Sequence, residues 1–81
     1  MIEIKFENNM AVAYDEDKKI GECIFLDLGE QWNITHTKVD SSYQGQGIAR
    51  KLVDCVIENA NIYNINVIAD CSYAKKVIES K

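Results

Sequence analysis

Along the first forty residues, apolar side chains recur at every second position. In MIEIKF, Ile2, Ile4 and Phe6 alternate with Glu3 and Lys5, the period of a half-buried strand. Asn8 and Asn9 tolerate the backbone conformations of a tight hairpin, which predicts a partner strand over MAVAY, 10 to 14. A polar turn, DEDKK at 15 to 19, leads to a third strand, IGECIFLDL at 20 to 28. GEQ then leads to a fourth, WNITHTKV at 32 to 39. The first half therefore reads as an antiparallel meander.

From Ile48 the period changes. Ile48, Leu52, Val56 and Ala60 repeat every fourth residue with Val53 and Ile57 beside them, while Arg50, Lys51, Asp54 and Glu58 fall on the opposite face. This is an amphipathic helix. NVIAD, 66 to 70, is apolar and too short for a helix, so it is expected as a strand parallel to the fourth, and CSYAKKVIESK closes the chain as a second helix. The order β-β-β-β-α-β-α is that of an α/β domain with a mixed sheet, carrying one βαβ unit at its C-terminal end. Ligands in such units gather at the carboxyl ends of the strands, here residues 39 to 49 and 70 to 73.

Composition narrows the partners. The 81 residues suit one domain, 1 to 81, with one modest core, and a hydrophobic content of 47% argues against disorder. A net charge of −4, with nine scattered Lys and Arg, offers no stripe for a nucleic-acid backbone. No run is long enough to span a membrane, and MIEIKFENN alternates where a signal peptide would be continuously apolar, so a cytoplasmic protein is expected. Cys23, Cys55 and Cys71 are odd in number and far apart, the pattern of reduced thiols; no metal site is expected.

The stretch SSYQGQGIARKLV, 41 to 53, places Gly45 and Gly47 between a strand and a helix start. Without a Cβ, such a turn lets backbone N–H groups approach an anion at the positive end of the helix. Alternatively, the two glycines serve only the turn itself.

The run Gln44-Gly45-Gln46-Gly47-Ile48-Ala49 resembles the signature of GCN5-related N-acetyltransferases: Gln or Arg, two residues, Gly, one residue, then Gly or Ala. In that family the loop between the fourth strand and the following helix holds the pyrophosphate of acetyl-CoA. The resemblance extends over about residues 32 to 78. It implies that the backbone of Gly45 through Ala49, including Gln46 and Ile48, cradles the pyrophosphate, and that the strand near Thr37 and Val39 pairs with the pantetheine arm. Two helices that longer members insert between their first strands are replaced here by Asn8-Asn9, and the chain ends at Lys81 without the family's final pair of strands. By register, Cys71 stands where the family's terminal helix often begins near an Asn, and Ile78 stands where it often carries a Tyr that protonates the departing thiolate. The chain thus resembles a minimal member, a cofactor-binding half with little acceptor half.

Cys71 follows the fifth strand at a predicted helix start, where a thiolate is favoured, and is the candidate nucleophile; a buried inert thiol is the alternative. His36, the sole histidine, is the candidate base. Strict alternation in ITHTKV puts Ile34, His36 and Lys38 on one face and Thr35, Thr37 and Val39 on the other. Tyr73 is a candidate cofactor contact or a helix anchor, and Tyr43 is expected to pack beneath the glycine loop. The expected function is acetyl transfer from acetyl-CoA to an unspecified acceptor, or slow hydrolysis, through Cys71. The alternatives are a non-catalytic acetyl-CoA or CoA sensor and a plain interaction domain. The oligomeric state is left open, with pairing across an exposed hairpin edge as one route to a larger assembly.

Overall fold

A computed structural model describes residues 1 to 80; Lys81, the last residue of the expected terminal helix, lies outside them. Four strands, β1 (Ile2–Glu7), β2 (Met10–Asp15), β3 (Lys18–Asp27) and β4 (Gln31–Val39), form the predicted meander. Helix α1 (Ile48–Ile62), strand β5 (Asn66–Ala69) and helix α2 (Ser72–Glu79) complete the chain. The sheet order is β1-β2-β3-β4-β5, antiparallel except for the parallel pair β4 and β5. The predicted DEDKK turn is shorter than expected. Asp15 and Lys18 still pair across β2 and β3, and only Glu16 and Asp17 turn, Glu16 adopting a positive φ of 56°.

Both helices cover one face of the sheet. Ala11, Ala13, Cys23, Phe25 and Ile34 meet Ile48, Leu52, Val53, Val56 and Ala60 of α1, while Ala74 and Val77 bring α2 into the same cluster. Phe25 stacks on Trp32 with ring centroids 4.3 Å apart and on Phe6 at 5.9 Å. Gly21 permits a close approach of α1: a Cβ there would lie 3.1 Å from the Lys38 carbonyl oxygen and 3.3 Å from Leu52 Cδ1.

One irregularity positions the site. Ile24 pairs with His36, but the next residue, Phe25, pairs with Ile34, so Thr35 is an extra residue in β4. The bulge resets the side-chain phase. Ile34 is fully buried among the helices and Thr37 reaches Cys23 in the same core, while Thr35 and His36 are exposed. Strict alternation through ITHTKV is thus corrected: Ile34 shares the face of Thr37 and Val39, and only His36 and Lys38 keep the other.

Candidate functional site

The site begins where β4 ends. The Asp40 carboxylate accepts the Ser42 N–H at 2.9 Å and starts a single 3-10 turn over Ser41–Tyr43. Gln44 Nε2 donates to the Val39 carbonyl at 3.5 Å, folding the loop back on the strand. The Tyr43 hydroxyl donates to Asp15 Oδ2 at 2.6 Å, which ties the loop to the turn between β2 and β3.

Gly45 and Gly47 both adopt left-handed backbone, with φ of 84° and 76°, a conformation costly for any residue with a side chain. A Cβ at either would meet nothing within 4 Å, so the space above the loop is open. Gly47 is the N-cap of α1 and no side chain caps the helix. The first-turn N–H groups therefore lack an intrahelical partner and add to the positive end of the helix dipole.

These donors border a cleft of about 450 Å³. Thr37 and Val39 line its β4 wall. Gln44, Gly45, Gly47, Ile48 and Ala49 form the loop end, and Tyr43 and Tyr73 contribute rings. Of the residues expected to bind cofactor, only Gln46 does not line it; its side chain is exposed. The loop, wall and uncapped helix end fit an extended ligand with an anionic group, which is the character of acetyl-CoA.

The cleft leads to a wedge in the sheet. Pairing of β4 with β5 runs from Gln31 and Asn66 to Ile34 and Ala69 and then stops. The N–H groups of Asp70 and Cys71 both donate to the Ile34 carbonyl, at 3.0 and 3.1 Å, closing the last rung. Asn33 reinforces it: its Nδ2 donates to Asp70 Oδ2 and its Oδ1 accepts the Asp70 N–H, both at 3.0 Å. Beyond this clamp β4 runs on through Val39 while β5 has ended.

Cys71 occupies the wedge as the N-cap of α2, with Sγ 3.6 Å from Thr37 Oγ1. Burial alone would raise this thiol, but the N–H groups of Ala74 and Tyr73, together with the Thr37 hydroxyl and N–H, more than offset it and hold the group below its ordinary value. The other thiols go the opposite way. Burial pushes Cys23 up to about 11 and also raises Cys55.

His36 does not join Cys71. The bulge leaves it on the helix-free face, where Nε2 lies 3.6 Å from Glu22 Oε2, while the next side chain, Thr37, is the one that touches Cys71. Ile78 lines a separate groove with Ile57, Ile65 and Val67. Thr37 is the partner that spacing could not reveal, because its nearness to Cys71 follows from the register of β4 against β5.

The chain matches the GCN5-related N-acetyltransferase family model over residues 7 to 81, and it belongs to that family. No curated protein matches it. A GCN5-like protein from Staphylococcus aureus, solved in solution, is 35% identical with a TM-score of 0.74, over 96% of this chain and 78% of that one. The ribosomal-protein-alanine N-acetyltransferase from Brucella melitensis biovar Abortus is 22% identical over 88% of this chain, with a TM-score of 0.74. Rv2747 from Mycobacterium tuberculosis, solved with CoA, is 23% identical over 75% of this chain, with a TM-score of 0.64. The chain spans 58% and 40% of the latter two, whose likeness is one of fold.

Proposed function

We propose that the protein binds acetyl-CoA along the cleft and transfers its acetyl group. The observation that carries this reading is the joined path from the left-handed Gly45 and Gly47, through the Thr37 and Val39 wall, to Cys71. The pyrophosphate takes the N–H groups from Gly45 to Ala49, the pantetheine arm lies along the edge of β4, and the thioester enters the wedge. Family membership supports the same choice of acyl donor.

Cys71 then serves as nucleophile. Its thiolate attacks the thioester carbonyl carbon, the bond from that carbon to the CoA sulfur breaks, and the proton given up by Cys71 ends on the CoA thiol. The acetyl-cysteine passes its acetyl group to an amine or to water, which restores the thiol. Tyr73, with its ring in the cleft, covers the arm beside this position.

Calorimetric titration of the reduced protein with acetyl-CoA, CoA and ATP tests binding, and intact-mass analysis after incubation with acetyl-CoA tests the step. Saturable acetyl-CoA binding tighter than ATP, with one acetyl group gained by the wild type and none by Cys71→Ala, is the expected result. Binding without thiol release would leave a sensor of acetyl-CoA, and no binding at millimolar ligand would remove the cofactor reading.

A further inference from the structure

We propose that the free edge of β1 is the contact surface for a second copy of this chain, paired antiparallel about a two-fold axis through Ile4. Glu7 and Met10 close the two-residue Asn8-Asn9 turn, so Glu3, Lys5 and Glu7 exchange their backbone bonds with β2. The N–H and C=O groups of Ile2, Ile4 and Phe6 consequently point to the open edge. Two such edges can bond only in registers that set even-numbered residues opposite even-numbered residues.

Among those registers, completeness of pairing and side-chain chemistry together select one. Placing Ile4 opposite Ile4 sets Ile2 against Phe6 on the helix face and Glu3 against Lys5 of the second copy on the other. Sliding two residues one way puts Glu3 opposite Glu3 on the axis, and sliding two the other way puts Lys5 opposite Lys5. Both of these place like charges in direct opposition, which is unfavourable, and the outer registers centred on Ile2 or on Phe6 leave two of the three outward residues without a strand partner. Every outward backbone group of Ile2, Ile4 and Phe6 is satisfied in the favoured register.

The surroundings leave room for this partner. Ile2, Ile4 and Phe6 are only partly buried against the core. Beside them an open groove of about 380 Å³ runs between β1 and α1, lined by Ile4, Lys51, Cys55 and Asn59 among others. The second copy's Ile4 and Phe6 lie along its mouth. On the helix-free face Lys5 is held over the Tyr14 ring, 5.5 Å from its centroid, and stays exposed to meet an opposing carboxylate. Two strands, β2 and β3, separate β1 from the β4 and β5 wedge, so the assembly leaves both ligand clefts open.

Sedimentation velocity of the full chain over a concentration series, together with amide exchange, tests the pairing. A dimer of twice the 9.2 kDa chain mass is expected. Its formation should slow exchange at Ile2, Ile4 and Phe6 but leave the already bonded Lys5 unchanged. Glu3→Lys and Lys5→Glu, each alone, should weaken self-association at least about tenfold, and mixing the two should restore a heterodimer, because each supplies the charge the other needs. A chain that stays monomeric at millimolar concentration overturns the proposal. So does a dimer indifferent to both substitutions, whose interface lies elsewhere.

Discussion

Cys71 Sγ and Thr37 Oγ1 lie 3.6 Å apart across the opening of the sheet, and the same hydroxyl stands 3.6 Å from Cys23 Sγ on its other side. One threonine thus separates an accessible thiol held low from a buried thiol held high. A difference in reactivity follows directly. Iodoacetamide should modify Cys71 first and Cys23 only on unfolding, and the pH profile for Cys71 should have its midpoint below that of an ordinary free thiol. Thr37→Val should move that midpoint upward and Thr37→Ser should restore it; peptide mapping after timed alkylation reads both.

Gly47 should be intolerant for a conformational reason. Its φ of 76° costs a side-chain-bearing residue about 1–2 kcal/mol, and a branched side chain would also fill the open space above the loop. Gly47→Val should weaken acetyl-CoA binding more than about tenfold by calorimetry. Gln46→Ala should change it little, because Gln46 does not line the cleft. Equal losses would remove the backbone cradle.

The bond from Tyr43 to Asp15 predicts an acid-dependent effect. The Tyr43 hydroxyl is the main cause of an Asp15 carboxyl held below the usual carboxylate range. A lowered folded value contributes stability that is present above the unfolded pKa of about 3.9 and is lost as pH falls through the folded value. Tyr43→Phe should therefore lower the melting temperature at pH 7, and its gap from the wild type should narrow at about pH 2.5. Thermal melts at the two pH values measure it.

His36→Gln should leave acetyl transfer and its pH profile unchanged, because Glu22 and not Cys71 is its neighbour. A lost acidic limb in the profile of this variant, the mark of a base that must be deprotonated, would return His36 to the chemistry.

Leu52 is fully buried between α1 and the sheet, beside Gly21. Leu52→Ala should cost about 2–5 kcal/mol by urea unfolding, as expected for a large-to-small change in a packed core.

The elements and the glycine loop were legible in the sequence because both are local. Alternation in IEIKF, the four-residue repeat from Ile48 and the conformational demand of Gly45 and Gly47 are each carried by neighbouring residues. The site's finer geometry is not local. Thr35 is a bulge only by comparison with β3, and without that comparison His36 falls on the wrong face. Tyr43 meets Asp15 across 28 positions and Cys71 meets Thr37 across 34, so neither pair leaves a trace in spacing. Cys71 itself could be placed, because the end of β5 and the start of α2 both announce it.

Thr35 also acts as a counting device. Were Thr35 taken into the ladder instead of bulged out, everything downstream of Ile34 would turn over: His36 and Lys38 would be driven against Cys23 and the helices, and Thr37 and Val39 would be left in solvent. Ironing out the bulge with Thr35 still in the strand would turn the ligand-facing wall inside out without altering the composition of the glycine loop or α1, whereas removing Thr35 and the bulge together would leave Thr37 and Val39 on the face of Ile34. What this segment must preserve is therefore the match between its residue count and its bulge, a constraint that the turn at Glu16 and Asp17 does not share.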